Sequence, residues 1–213
     1  GTLLEPNIEK IVYIKPDLII ASKDGNTMAS IEKLQRLGFE VYVMEKSESF
    51  KDICANYYAL AEKINKVKEA TNTINKAKVY VNELRVKSRR NSSLKIFWEI
   101  GSSPLYTAGG KSIANDYNFY SNTINVYDDI NKNYFQVDIE DVMRNNPDII
   151  LLFNLGNIAK EELSFWSKYK MLNVVKNNKV LIINSEDFFT PTPLTFAENL
   201  SLLSRTVHDE NIS

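Results

Sequence analysis

Asn7-Ile8-Glu9-Lys10-Ile11-Val12-Tyr13-Ile14-Lys15-Pro16-Asp17-Leu18-Ile19-Ile20-Ala21 recurs without a gap as Asp138-Ile139-Glu140-Asp141-Val142-Met143-Arg144-Asn145-Asn146-Pro147-Asp148-Ile149-Ile150-Leu151-Leu152. Ile8/Ile139, Glu9/Glu140, Pro16/Pro147, Asp17/Asp148 and Ile19/Ile150 are identical pairs, and most of the others keep their apolar or polar character. The first copy opens as an N-capped helix. Its proline disfavours helical backbone at the residue before it, so the helix stops there. A short apolar run of buried-strand type follows. The duplication therefore predicts two related α/β lobes, each containing a helix–Pro-Asp–strand unit.

Working outward, residues 27–37 read as a helix closed by Gly38, a residue free to take the left-handed backbone at a helix end. Residues 39–44 alternate and are rich in β-formers, which predicts a strand. The same grammar returns later in the chain: strands at 94–100, 123–127, 148–153 and 180–184, and helices at 111–120, 138–146, 160–176 (one helix or a pair) and 195–208. Alternating helices and strands specify an α/β fold with parallel sheets.

Between these halves the grammar changes. Residues 50–89 contain no proline and no glycine, and apolar residues fall at 53, 57, 60, 64, 67, 74, 77, 81 and 84. That spacing is one helical stripe, and at ~1.5 Å per residue it could extend roughly 60 Å. A single long helix lying across two lobes is the expectation, because the charges flanking the stripe lack a coiled-coil pattern. The predicted organisation is an N-terminal lobe at 1–48, the connecting helix at 49–90 and a C-terminal lobe at 91–213.

Composition narrows the function. The chain has 213 residues, 44% hydrophobic and 25% charged, which is ordinary globular composition. Lys+Arg 26 against Asp+Glu 27 leaves a net charge of −1, so no basic footprint for nucleic acid exists. With one Cys (Cys54) and one His (His208), the chain offers no disulfide framework and no Cys/His metal cluster. A Ser-His-Asp triad would depend on His208, beside a polar tail. Binding is favoured over catalysis.

In parallel α/β sheets ligands gather at the loops that follow the strands. Here those are Ser22-Lys23-Asp24-Gly25-Asn26, 101–106, 154–157 and 186–190. Tyr106, Tyr134 and Phe188 are expected in loops, where an aromatic ring can meet a large flat or hydrophobic ligand. Tyr106 to Ser112 echoes a phosphate loop but lacks its first glycine. Gly109-Gly110 is better read as the tight turn that starts the next helix. Glu9 and Glu140 lie at the same repeat position near a helix N-terminus, which complements the helix dipole. They also form two matched acidic points, one per lobe, for a partner with matched basic points.

The strut helix, the duplicated unit and the segment Pro104 to Asp116 together resemble the substrate-binding proteins of ABC importers for cobalamin, haem and ferric siderophores. The likeness runs from Asn7 to nearly the end of the chain. It implies two lobes bridged by one long helix, no covalent chemistry and no resident cofactor, and a metal chelate held between the lobes: a ferric siderophore, a corrinoid or haem. It also implies a monomer that delivers its cargo to an ABC transporter permease, either periplasmic or anchored outside the membrane. Family members carry another half-lobe before the Asn7 helix. The N-terminal lobe is therefore expected to be incomplete, with the signal segment absent from this chain.

The resemblance assigns Glu9 and Glu140 to permease docking, and Tyr106 and Tyr134 to aromatic positions lining the cleft. With the strand-end loops, the expected ligand-binding set is Ser22, Lys23, Asn26, Tyr106, Tyr134, Asn154 and Phe188. If haem is the cargo, Tyr106 or Tyr134 could supply a phenolate. Ser22 and Leu3 stand where cobalamin-binding members place tryptophans, Ile100 replaces a phenylalanine and Leu194 a common arginine, so the chelate stays open. Two other readings also stay open: a cytosolic α/β nucleotide-binding protein or enzyme, and a permease adaptor that has lost its ligand.

Overall fold

The computed structural model describes residues 1–213 apart from Leu3, Asp24, 154–158, Glu186 and 209–213, and apart from the side chains of Ala159 and Lys160. In the N-terminal part, α1 (Ile8–Ile14), β1 (Ile19–Ser22), α2 (Met28–Arg36) and β2 (Val41–Met44) follow in order, and β1 pairs with β2 in parallel. Asn7 caps α1, its side chain accepting from Lys10 N at 2.9 Å. Gly38, at φ 87°, ends α2: its N–H donates to Gln35 O while Phe39 N reaches Leu34 O. That pair of bonds closes a helix by left-handed backbone, as the sequence predicted.

The expected single strut is two helices, α3 (Phe50–Lys63) and α4 (Val67–Ser88). Asn65 takes φ 55°, its N–H donates to Glu62 O, and Lys66 N donates to Ala61 O at 2.7 Å. This is the same closure as at Gly38, made by the residue type that best tolerates left-handed backbone after glycine. The stripe survives, in two pieces. Ile53 and Cys54 of α3 and Ile74, Ala77 and Val81 of α4 are buried in a shared core, whereas Ile64 at the break is 45% exposed.

The C-terminal lobe holds β3 (Leu94–Ser102), β4 (Leu105–Ala108), α5 (Ile113–Ser121), β5 (Thr123–Asn125), β6 (Tyr134–Gln136), α6 (Ile139–Asn145), β7 (Ile149–Phe153), α7 (Ala159–Trp166), α8 (Asn173–Lys176), β8 (Val180–Ile183) and α9 (Pro193–His208). Its sheet is mixed rather than wholly parallel. The order is β6-β4-β3-β7-β8, with β5 beside the first half of β3. β5, β7 and β8 run parallel to β3, but β4 and β6 extend the sheet antiparallel. A two-residue connection at Ser103-Pro104 can only return the chain antiparallel, since a parallel return needs a crossover of a dozen residues or more.

Side chains alternate between the two faces of this sheet. Ile96, Trp98, Ile149, Leu151 and Phe153 enter one core with α3, α4, α5 and α9; Phe97, Ile150 and Leu152 enter a second with α6, α7 and α8. All five residues of β7 are buried, as a strand covered on both faces requires.

The duplicated unit folds the same way twice. Helices α1 and α6 each have seven residues and end at Lys15 and Asn146 in left-handed backbone. Each then leads through Pro-Asp into a parallel strand.

Candidate functional site: a cleft at the strand ends

The ends of β1 and β2 and the segment between β8 and α9 converge on a cleft of about 530 Å³. Ser22, Gly25 and Asn26 bring the β1–α2 loop to it, and Met44, Glu45 and Ser47 bring the segment after β2. Opposite stand Phe189, Thr190 and Pro191, from the segment between β8 and α9, while Ile53 of α3 and Ile113 of α5 complete the lining. A second groove of about 500 Å³ runs between α3 and α4. It is lined by helix side chains and receives no strand end, so the cleft is the stronger candidate.

Local bonding explains how the walls hold their shape. Ser22 N donates to Asn26 Oδ1 at 2.9 Å, and Asn26 N donates back to Ser22 O at 2.9 Å, closing the loop on itself. Lys23 Nζ lies 2.6 Å from both carboxylate oxygens of Glu45, bridging the β1 and β2 segments. Across the cleft, Ser185 Oγ donates to Asp187 Oδ1 at 2.9 Å. Desolvation pushes Asp187 upward, but hydrogen bonds from Ser185, Thr195 and Asn199 outweigh it and hold its carboxyl below the usual range. The two helices that contribute Ile53 and Ile113 are tied together by Asp116 of α5, whose side chain accepts from Phe50 N at the start of α3. Burial raises the Asp116 carboxyl, and the bond from Phe50 opposes that rise.

Of the residues expected to bind ligand, Ser22 and Asn26 line the cleft, and Lys23 stands beside it in its pair with Glu45. Tyr106 and Tyr134 are on strands β4 and β6 rather than in loops. The register, Tyr106 opposite Gln136 and Ala108 opposite Tyr134, puts both rings on one sheet face, each about two-fifths exposed. Tyr134 reaches the site by meeting Phe189 edge-on at 6.1 Å.

Phe188 is corrected: it is fully buried, packed on Tyr117 at 4.4 Å and Phe153 at 5.1 Å. Its neighbour Phe189 is the ring that lines the cleft, at the edge of the same aromatic core, where it packs on Phe153 at 4.7 Å. Asn154, like Leu3, lies outside the described residues. Glu9 and Glu140 are exposed in the first turns of α1 and α6. Glu45, just past the end of β2, was within reach of the strand-end rule; Ile53 and Ile113 come from helices and carry no such signal.

Chemistry other than binding finds little support here. The N–H groups of Gly109, Gly110 and Lys111 donate to the carbonyls of Asn133, Ile130 and Lys132, so the donors a phosphate would need are occupied. A Cβ on Gly109 or Gly110 would come within 2.4 Å of Lys132 O or 2.2 Å of Asp128 O; close approach, not unusual φ, is why glycine stands there. His208 Nε2 lies 2.8 Å from Ser121 O, joining α9 to α5. The Cys54 thiol is buried and pushed up to about 11 by desolvation.

Glu99, raised to about 8 chiefly by burial, accepts from Trp166 Nε1 on the opposite sheet face from the cleft. Its Oε1 and the hydroxyl of Thr107, the residue opposite it in the ladder, are buried without a hydrogen-bond partner. Among the described residues no group of three or more His, Cys, Asp or Glu could hold a metal ion.

Comparison with known proteins places this arrangement. A family model described as "Periplasmic binding protein" matches residues 1–186. A vitamin B12-binding protein of Vibrio vulnificus is 28% identical over 190 residues, 89% of this chain and 68% of the relative. A possible iron-binding, periplasmic solute-binding protein of Staphylococcus epidermidis superposes with TM-score 0.85 at 22% identity, over 97% of this chain and 81% of that one. The periplasmic vitamin B12-binding protein of Vibrio cholerae superposes with TM-score 0.78 at 24% identity, over 96% and 78% of the two chains.

Proposed function

This chain belongs to the periplasmic binding protein family, and from that premise we propose that it is the substrate-binding component of an ABC importer, carrying a metal chelate to a permease outside the cytoplasmic membrane. The observation that carries the reading is the cleft itself. The ends of β1 and β2 there face the segment between β8 and α9 around a volume suited to one small molecule, and Phe189 supplies an apolar face for a large ligand. A vitamin B12-binding protein and a possible iron-binding protein are among its relatives, and burial of a bulky chelate against such a surface would supply binding free energy.

In this reading Ser22, Asn26, Tyr134 and Phe189 contact the chelate, with Tyr106 at the same face of the sheet. Glu9 and Glu140 are the acidic points that meet the permease, and no covalent step occurs. No helix among the described residues is long and apolar enough to cross a membrane. The test is a fluorescence titration. Trp98 lies 6.4 Å from Phe189, one ring away from the cleft, so an absorbing chelate bound there should quench it saturably. Absence of saturable quenching by corrinoids, haem and ferric siderophores alike would refute the carrier reading.

A further inference from the structure

We infer that the chelate carried in the cleft is electrically neutral or cationic, an inference that rests on the carrier reading above. The described lining includes one carboxylate, Glu45, and no lysine or arginine. The two lysines nearest in sequence are engaged: Lys23 by Glu45 at 2.6 Å and Lys46 by Glu48 at 3.1 Å. Across the cleft, hydrogen bonds from Ser185 and Asn199 favour the ionised carboxylate of Asp187, two residues before Phe189.

The other lining residues are apolar (Met44, Ile53, Ile113, Phe189) or neutral hydrogen-bonding groups such as Ser22 and Thr190.

An anion entering this cleft would leave water without meeting an unpaired countercharge, and the one charged group in the described lining, Glu45, is a carboxylate already matched by Lys23. Uncompensated desolvation and like-charge juxtaposition both oppose binding. A ferric trihydroxamate, in which three hydroxamates cancel the charge of ferric iron, meets neither cost, and nor does a cyano-corrinoid. A ferric tricatecholate is a trianion and haem carries two propionates, so each meets both.

The experiment titrates the whole chain with these four probes at one low ionic strength, reading Trp98 quenching and checking stoichiometry by calorimetry. The expected result is saturable binding of the trihydroxamate or the corrinoid, with the tricatecholate and haem at least tenfold weaker. Glu45→Gln, which leaves Lys23 unopposed, should narrow that gap. Equal or tighter binding of either anionic probe would overturn the inference while leaving the carrier reading standing. Saturation by none of the four would overturn the carrier reading and this inference with it. A gap unchanged by Glu45→Gln in a folded variant would also overturn the inference, by removing its electrostatic basis.

Discussion

Lys15 and Asn146 hold the same place in the two copies of the repeat and adopt the same left-handed backbone, φ 50° and 44°. Each donates its N–H to the carbonyl four residues earlier, Ile11 and Val142. Only one of them is well suited to it. Asparagine tolerates this region, whereas a lysine there brings Cβ against its own carbonyl at a cost of roughly 1–2 kcal/mol. Lys15→Gly should therefore stabilise the chain by up to about 1 kcal/mol after the greater unfolded-state freedom of glycine is set against it. Asn146→Gly should change little. Urea midpoints of the two variants, compared with the parent, measure this; equal shifts would show that the strain is not located at Lys15.

The exposure of Glu9 and Glu140 makes the docking assignment separable from folding. Each sits in a first helical turn, where losing a carboxylate costs about 0.3–1 kcal/mol through the helix dipole. Glu9→Lys with Glu140→Lys should fold normally and keep ligand affinity, yet fail to stimulate the permease's ATPase activity. Normal stimulation by the folded double variant would remove these residues from the docking surface.

Adjacent rings at 188 and 189 should respond differently to truncation. Phe188→Ala opens a cavity in the aromatic core formed with Tyr117, Phe153 and Trp98, and the expected loss is about 3–5 kcal/mol of stability. Phe189→Ala removes the apolar face of the cleft while the core beneath stays filled. Its expected effect is on affinity, about tenfold or 1.4 kcal/mol, with a smaller loss of stability. Thermal melts and ligand titrations on both variants separate the two roles.

Glu99 ties stability to pH. Its carboxyl ionises near 4.5 when unfolded and is held up to about 8 in the fold, mainly by burial. Between those values the unfolded chain has released a proton that the folded chain still holds. Stability is therefore greatest below the unfolded value and is lost as pH rises toward about 8, by roughly 5 kcal/mol at most. Glu99→Gln keeps an acceptor for Trp166 Nε1 but cannot ionise, so denaturation midpoints measured between about pH 5 and pH 8 should flatten. A slope identical to the parent's would locate the titrating group elsewhere.

Much of the fold was legible in the chain because its strongest signals are local. Pro16 and Pro147 terminate helices through a clash with the preceding residue, Gly38 closes one through its missing Cβ, and alternation in residues 39–44 is a property of the strand itself. Asn65 was legible in principle: asparagine tolerates the same backbone as Gly38, but an unbroken apolar stripe concealed the break. Strands β4 and β6 were not legible. They are four and three residues long, and pairing partners stabilise them rather than their own composition.

Sequence by itself determined the duplicated helix–strand unit, the α/β class and the poverty of catalytic groups, and it pointed to the strand ends where the candidate cleft lies. These follow from backbone sterics, side-chain periodicity and residue inventory, which need no long-range contact. Tertiary structure alone decided which of two neighbouring phenylalanines lines the cleft, that Ile53 and Ile113 join the lining, and that Lys23 is paired with Glu45, twenty-two positions apart. Those outcomes depend on which distant elements pack together, and the free energy of packing belongs to the assembled core rather than to any one stretch of chain.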